Sequence, residues 1–370
     1  PRKEPRFDGP LTLERLEQIF QDCVDFTKRP VSLGEGGACT LTLCYLSGMV
    51  KMERVSDYVL RPLAQDEALA RCGTPRQAME EMMGGALYNL SAAERTTLDE
   101  AAFDLVAGWC LLFFPGESAV LSLFVGTEEK RSISSPSNET VLKGSRDAFV
   151  ESLRTNTSIV RRHLKTPELR IREQVVGRQS VTSVDILYIE GLTNPHLVEQ
   201  VAAQLADIDI DAVLATGNIE EYIVPAARTA FPLVQYTERS DRFCAGLAEG
   251  RVGILIDGLP LGYLAPGVLG DFLQAPQDKS ESWLLASALT LLRYLCMLGT
   301  LLLPALYVAM VTFHQEMIPT RLALSIIAAK QDVPFRSVFE VIVLLLAFEI
   351  LQEAGLRLPQ SIGPVSYTHL

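Results

Sequence analysis

Residues 235–258 read "QYTERSDRFCAGLAEGRVGILIDG", and their pattern decides the predicted fold. A short strand leads into a helix that starts at Ser240 as its N-cap and stops at Gly250, because serine caps free helix amides and glycine commonly ends helices. The apolar run that follows turns at Asp257-Gly258, a dipeptide typical of β-hairpins. This alternation of strands and helices predicts an α/β fold class.

The same alternation divides the first part of the chain into two α/β subdomains. The second subdomain is predicted at 165–275, where Asn194 as N-cap and Pro195 as the first helical residue mark a well-formed helix start. The first is predicted at 1–130 and ends in two strand-like runs around a Pro-Gly-Glu-Ser turn. Residues 131–164 form a Ser/Pro/Asn-rich linker that runs into a helix.

The composition limits the possible classes of function. The 370 residues carry a net charge of −12 and the pI is about 5.0, so no nucleic-acid partner is expected, because phosphate binding needs a basic surface. Seven scattered cysteines without CxxC spacing are typical of reduced thiols in the cytoplasm. No metal site and no other cofactor is predicted, since the four histidines form no cluster with cysteines. The "GEGG" sequence at 34–37 precedes a strand, so it predicts a loop and not a phosphate cradle.

The opening stretch contains a charged corner that allows three interpretations. Glu238, Arg239, Asp241 and Arg242 surround the predicted helix start, and Asp257 lies on the hairpin. Either arginine can pair with Glu238 or with Asp257. Helix caps and ion pairs explain these charges most simply. A ligand-binding corner is the second interpretation. Catalysis is the third, but it would require a nucleophile and a base together in a cleft, so no catalytic residue is predicted.

The stretch "LRTNTSIVRRHL" at 153–164 contains a second group of candidates for a ligand or an interface, Arg154, Asn156 and Arg161. The two arginines are seven positions apart and therefore lie on one helical face. They can receive an acidic loop or an anionic ligand. The alternative is a solvated or inter-domain face.

The C-terminal part of the chain is strongly apolar. Residues 294–313 form a twenty-residue run without a charge, which is long enough to cross a bilayer core. We therefore predict a first transmembrane helix at 283–313, with Arg293 as a polar position just before the run, although a buried core helix would show the same pattern. Residues 314–333 are predicted to form an amphipathic connector.

The second apolar segment, 334–358, leaves two interpretations open. In a membrane span its carboxylates, Glu340, Glu349 and Glu353, would lie at membrane depth, where acids are costly and usually face a protein interior or water. In an interfacial or re-entrant helix the same carboxylates would reach the lipid headgroups. Glu349 and Glu353 are one turn apart and share a face, whereas Glu340 lies on roughly the opposite face.

Both ends of the sequence look non-native. It begins at Pro1 without a methionine, and its last residues, "VSYTHL", resemble the translation of a sequencing adapter. Residues 364–370 are therefore predicted to be a non-native tail. The large acidic region before the apolar segments shows no secretory signal and is expected to remain in the cytoplasm.

Five long motifs follow one another along the chain: "LKGSRDAFVESLRTNTSIVRRHLKTPELRI", "VDILYIEGLTNPHLVEQVAAQLADIDID", "VQYTERSDRFCAGLAEGRVGILIDG", "LLRYLCMLGTLLLPALYVAMVTFHQEMIPT" and "LQEAGLRLPQSIG". In this order they resemble the GerA family, the A subunits of spore germinant receptors. The resemblance covers about residues 130–363, and the first 130 residues match less distinctively. It implies two cytoplasmic α/β subdomains followed by a bundle of membrane helices, some of which lie beyond this chain.

The resemblance also implies a function. Members work in the inner spore membrane with a transporter-like B subunit and a lipoprotein C subunit, and nutrients trigger ion release through the complex. The A subunit is expected to contact membrane lipid, to form homo-oligomers and to contribute to an ion-conducting path, for which we favour Glu349 as a pore-facing residue. The alternatives are a regulatory subunit of an ion-coupled solute transporter and a membrane-tethered enzyme. The enzyme would need a pocket with a nucleophile–base pair in 165–270.

Overall fold

The computed structural model describes residues 6–33, 40–70, 72, 74–86, 91–126, 147–213, 222, 232–275, 277–278, 282–330 and 335–357. The chain divides into two compact units, Pro1–Ser280 and Glu281–Leu370. The "GEGG" loop, the linker up to residue 146 and the tail at 364–370 lie outside the described residues.

The first unit begins with a five-stranded antiparallel sheet in the order β1-β2-β4-β5-β3. Its strands are β1 (Phe26–Ser32), β2 (Thr40–Leu46), β3 (Ala92–Arg95), β4 (Trp109–Phe113) and β5 (Val120–Phe124). Its helices are α1 (Leu13–Ile19), α2 (Met52–Val55), α3 (Arg61–Gln65), α4 (Glu67–Ala70), α5 (Pro75–Glu81) and α6 (Leu98–Val106), with π-helical turns at Ser56–Leu60 and Met82–Ala86.

The alternation of side chains along β2 gives this sheet a core on each face. Leu43 packs with apolar residues of the helical segment that follows β2, whereas Cys44 packs with residues of α1 and α6. Successive strand residues point to opposite faces, so a run as apolar as β2 indicates a strand covered on both sides. The predicted hairpin in this subdomain is confirmed by the antiparallel pairing of β4 with β5.

The second sheet also has five antiparallel strands, in the order β6-β7-β9-β10-β8. Its strands are β6 (Leu169–Val176), β7 (Thr182–Ile189), β8 (Gln235–Thr237), β9 (Val252–Ile256) and β10 (Gly262–Ala265). Its helices are α7 (Leu153–His163), α8 (Pro195–Ala206), α9 (Ser240–Ala248) and α10 (Leu269–Leu273).

The helices of the second subdomain cover both faces of its sheet. Ile186 of β7 belongs to the core under α8, and the next residue, Leu187, belongs to the core under α7 and α9. On the second face α9 approaches very closely, since a Cβ atom at Gly253 or Gly262 would lie 2.4 or 2.6 Å from the ring of Phe243. Both positions therefore require glycine, because any side chain there would collide with the Phe243 ring.

The predicted fold class is confirmed, with two subdomains of strands and helices, and the pairings within both sheets are antiparallel. The predicted start of α8 is also confirmed. Asn194 is its N-cap, with its side chain accepting a hydrogen bond from the His196 amide at 3.0 Å, and Pro195 is the first helical residue.

The second unit is helical and apolar in the part that the structure describes. It contains α11 (Trp283–Thr312), a 3₁₀ turn (Gln315–Met317), α12 (Thr320–Lys330) and α13 (Ser337–Arg357). Among the described residues α11 is the one helix that is long and apolar enough to cross a membrane, with 30 residues and a mean hydropathy of 2.0. At 1.5 Å per residue it is about 45 Å long, more than a hydrocarbon core requires. The 21 residues of α13 include the carboxylates of Glu340, Glu349 and Glu353.

Candidate functional site

A buried ion pair joins the two subdomains of the first unit. The guanidinium of Arg161, in the last turn of α7, donates from Nε to Oδ2 of Asp25 at 2.8 Å and from Nη2 to Oδ1 at 2.9 Å. Asp25 immediately precedes β1 of the other subdomain, and Arg161 and Asp25 are only 1% and 3% exposed. Burial alone would lower the pKa of Arg161, but the charges and hydrogen bonds of Asp25 and Cys23 together outweigh burial and raise it. The guanidinium of Arg161 is therefore held in its charged form, and the two hydrogen bonds fix the pair in bidentate geometry.

The same region contains direct backbone contacts between the subdomains. The amide of Val24 donates to the carbonyl oxygen of Ile171 in β6 at 2.9 Å, and Cys23 forms a parallel bridge with Ile171. The guanidinium of Arg170 donates to the carbonyl oxygen of Ile19. A segment of the first subdomain thus occupies the outer edge of β6, which would otherwise offer free amide and carbonyl groups.

The other two candidates on α7 have separate partners. Arg154 lies 2.7 Å from Glu173 and 3.4 Å from Asp185, both in the second sheet. Asn156 is fully buried, and its side-chain amide accepts from the Val150 amide at 2.8 Å and donates to the Val150 carbonyl at 2.6 Å. Arg154 and Arg161 therefore both receive carboxylates, but from different subdomains, and Asn156 fixes the chain that enters α7.

The predicted cap of α9 is wrong by one position. The N-cap of α9 is Arg239, which makes no side-chain cap bond, and Ser240 is the first helical residue. The Ser240 hydroxyl donates instead to the Asp147 carbonyl oxygen at 3.0 Å. This bond is available because the chain near Asp147 runs alongside the start of α9, where the Phe149 amide donates to the Glu238 carbonyl at 2.8 Å. Sequence alone cannot reveal that neighbouring segment.

The charges of the corner are distributed over two elements. The buried side chain of Arg239 donates to both carboxylate oxygens of Asp241, at 3.0 and 2.6 Å. Asp257, one of the two possible partners of these arginines by sequence, accepts a hydrogen bond from the Leu153 amide at 3.1 Å. It therefore caps the N-terminus of α7, where a carboxylate is favoured by the free amides and the helix dipole. The hairpin turn is thereby tied to the helix that holds Arg161.

A pocket of about 300 Å³ opens beside this corner. Its lining includes equal numbers of cationic and anionic side chains, namely Arg239, Asp241, Arg242, Glu249, Arg251 and Asp271. Arg251 holds Asp271 in a bidentate pair at 2.5 and 2.9 Å, while Nη2 of Arg242 donates to the Asp271 carbonyl at 3.1 Å. Burial alone would raise the pKa of Asp271, but the hydrogen bonds from Arg251 and the Val268 amide, together with the charges of Arg251 and Arg242, outweigh burial and lower the pKa. The pocket wall is thus a balanced network of ion pairs.

A serine and a histidine meet near the corner although they are 77 positions apart. Ser240 Oγ lies 3.1 Å from His163 Nε2, and Asp147 Oδ2 lies 3.6 Å from the same nitrogen. In a catalytic triad the acid holds the opposite ring nitrogen and the serine is open to substrate. Here the acid and the serine share one nitrogen, and Ser240 is fully buried. The contact therefore supports the packing of α7 against α9, and neither Ser240 nor His163 is among the residues that line the pocket.

The polar positions of the second unit also differ in their partners. Glu340 pairs with Lys330 at 3.2 Å, and Lys330 lies 5.5 Å from the centre of the Tyr307 ring. Glu349 and Glu353 are exposed on α13, and Arg293 lies in α11, partly covered. The described residues contain no group of three or more His, Cys, Asp or Glu side chains able to hold a metal ion.

Comparisons with known proteins identify relatives along almost the whole chain. The family model described as "Bacillus/Clostridium GerA spore germination protein" matches residues 14–365. The chain is 36% identical over 351 residues to "Uncharacterized membrane protein YfkQ" of Bacillus subtilis, covering 95% of this chain and 67% of the relative. It is 36% identical over 341 residues to "Spore germination protein KA" of the same organism, covering 92% of this chain and 62% of the relative.

One solved structure supports the same assignment. The crystal structure of the N-terminal domain of the A subunit of the Bacillus megaterium spore germinant receptor GerK3 matches with a TM-score of 0.56 and 27% identity. The matched region covers 71% of this chain and 99% of that domain. The chain thus spans about two thirds of the length of these two relatives and matches nearly the whole length of the solved N-terminal domain.

The resemblance inferred from the motifs is confirmed, and the match begins at residue 14, so that it includes the first subdomain. One relative is named as a membrane protein, in agreement with the candidate membrane helix α11. The chain belongs to the GerA family of Bacillus/Clostridium spore germination proteins, the A subunits of germinant receptors.

Proposed function

We propose that this chain is a non-enzymatic receptor subunit that transmits a nutrient signal to ion release at the start of germination. The observation that carries this proposal is the buried Arg161–Asp25 pair, because it fastens both subdomains to one helix. A ligand-induced change in a partner subunit that moves one subdomain would then move the other. Such a mechanism needs a rigid transmitting body and no catalytic group.

The path through this body follows α7. Its first turn is capped by Asp257 on the β9–β10 hairpin and contacts Glu173 of β6 through Arg154. Its last turn holds Asp25 through Arg161. A displacement of the hairpin corner therefore shifts both ends of the helix, because a helix transmits motion along its axis as a stiff element.

The proposed location is the inner spore membrane, with the first unit in the cytoplasm and α11 as the anchor. The proposed partners are a transporter-like B subunit, a lipoprotein C subunit and further copies of the A subunit. Support comes from the length and hydropathy of α11 and from the names of the relatives, one a membrane protein and another a spore germination protein. We propose that the copies contribute apolar helices to an ion-conducting path.

Arg239→Ala tests the corner. We expect the variant to lose about 1–3 kcal/mol of stability, because a buried guanidinium with two hydrogen bonds to Asp241 is removed. Nutrient-triggered germination should be slower. Thermal unfolding of the purified chain and germination kinetics measure the two effects, with Arg239→Lys as the control that keeps the charge. If folding and germination of the alanine variant both match the wild type, the corner has no role in coupling.

Glu349→Gln tests the ion path. In spores that carry the full-length gene, this neutral substitution should change the rate of nutrient-triggered cation release, because an exposed carboxylate on α13 would attract cations in a pore. Glu340→Gln is the matched comparison, since Glu340 is already paired with Lys330 and its loss should act mainly through helix packing. Unchanged release by Glu349→Gln at a normal protein level would contradict the assignment of Glu349.

The general function is tested by deleting the full-length gene and restoring it. Spores that lack the gene should fail to release cations in response to the nutrient that their receptor detects, and the restored gene should return the response. A normal response of the deletion strain to every nutrient that triggers the wild type would contradict a role as a receptor subunit.

A further inference from the structure

Asp185, in the middle of β7, is a buried carboxylate with incomplete partners. It is 0% exposed, and its Oδ2 atom lies 3.4 Å from Nη1 of Arg154. Its Oδ1 atom has no hydrogen-bond partner among the described residues. Buried polar atoms are nearly always hydrogen-bonded, and an ionised carboxylate is especially costly without partners. This geometry suits a neutral carboxyl group better than a carboxylate.

The nearest cation is shared with a competing acid. Glu173 lies directly opposite Asp185 in the register of β6 and β7. Nη2 of Arg154 is closer to Glu173, at 2.7 Å, than Nη1 is to Asp185, and the Arg154 side chain is 46% exposed. One partly solvated guanidinium therefore serves two carboxylates and favours the more accessible one.

The remaining surroundings of Asp185 do not compensate its charge. Asp257, at the end of β9, and Asp25 add further negative charge nearby, and α9 supplies apolar Phe243 and Leu247 to the core on this face of the sheet. Burial is the largest influence and raises the pKa of Asp185 to about 7, since Arg154 lowers it only partly and the neighbouring carboxylates raise it further. The group is thus placed to change its charge near neutrality.

We propose that Asp185 is a proton-sensitive switch that controls how firmly the first turn of α7 is held on the second sheet. When Asp185 is protonated, it remains buried without a full partner and Arg154 stays with Glu173. When it loses its proton to solvent, the buried charge requires Arg154 or water. A shift of Arg154 toward Asp185 or the entry of water displaces the first turn of α7. In that turn the Leu153 amide, next to Arg154, is bonded to Asp257. Because the last turn of α7 holds Arg161, the switch acts on the helix that joins the subdomains.

The direction of the pH effect follows from the two protonation equilibria. Asp185 binds its proton more tightly when the first turn of α7 is packed on the second sheet than when that turn is displaced. In the displaced state the pKa of Asp185 returns to its ordinary value of 3.8. The packing of the first turn of α7 on the second sheet is therefore most stable in acid. Its stability falls as pH rises from about 4 to about 7 and is constant at higher pH. A carboxylate stabilised by an ion pair would show the opposite trend.

Hydrogen exchange of the full chain in detergent micelles at pH 5.5 and pH 7.5 tests the switch. After correction for intrinsic exchange, protection of the α7 amides should fall roughly tenfold between the two conditions. Asp185→Asn should remove this difference, whereas the control Glu173→Gln should retain a pH dependence because Asp185 is still present. Equal pH dependence in wild type and Asp185→Asn would overturn the proposal.

A second variant keeps the test decisive if Asp185→Asn does not fold. Arg154→Gln removes the cation that pairs with Asp185 among the described residues, so the loss of protection should become larger and should extend to higher pH. An unchanged profile would overturn the proposal as well. Neither measurement requires germination, so the switch can fail while the proposed receptor function stands, and the reverse.

Discussion

Arg161→Met should destabilise the first unit by about 3–5 kcal/mol, the largest effect expected for one substitution in this chain. The substitution leaves Asp25 only 3% exposed and without the bidentate guanidinium that compensates its charge. The bond from Arg161 Nη1 to the Leu169 carbonyl, 2.9 Å long, is lost at the same time. Denaturant-induced unfolding of the purified chain measures the change in the free energy of unfolding.

Two further variants show whether the loss comes from burial of the charge. Arg178→Met removes a pair with Asp209 in which both side chains are about two thirds exposed, at 68% and 67%, and it should cost less than about 1 kcal/mol. The double variant Arg161→Met/Asp25→Leu removes both buried charges and should recover much of the lost stability. If Arg161→Met costs no more than Arg178→Met, the buried pair does not hold the subdomains together.

Leu298→Arg should remove most of the chain from the membrane fraction. Leu298 lies near the middle of α11, and a charged side chain at the centre of a membrane helix costs about 2.5–3.5 kcal/mol on insertion scales. The measurement is the share of protein that stays with membranes after alkaline extraction. Wild-type protein should remain in the pellet.

Leu284→Arg is the matched control, because it introduces the same side chain one residue after the start of α11. An arginine near the end of a helix can extend its guanidinium to the interface, so this variant should remain in the membrane. Equal extraction of both variants, or extraction of the wild type, would contradict the assignment of α11 as a membrane anchor.

The elements that the sequence predicted well are those with local signals. The β4–β5 and β9–β10 hairpins combine apolar strands with a recognisable turn, and the helix α8 has its own cap. The sequence did not reveal β1 or β3. β1 reads "FTKRPVS", pairs on one side with β2 and is largely open to solvent. Such edge strands lack the alternation of apolar residues that marks a half-buried strand.

The sequence identified single candidate residues of the site, but not the contacts between them. Arg161 stood out on a helical face, but its partner Asp25 is 136 positions away, and no local pattern connects them. Asp257 was recognised as a turn residue, yet its role as the cap of α7 depends on the tertiary fold. Asp185 did carry a signal, because it is a single acid in the apolar strand "SVDILYI". A lone charge in an otherwise buried strand deserves the same scrutiny as a charged cluster.

In the proposed mechanism the Arg161–Asp25 pair transmits the nutrient signal between the subdomains. The most direct test is nutrient-triggered cation release from spores whose full-length gene carries Arg161→Lys. Lysine keeps the positive charge but cannot form the bidentate pair. At a protein level equal to the wild type, we expect cation release to be delayed or lost. Release with wild-type kinetics at that protein level would contradict it.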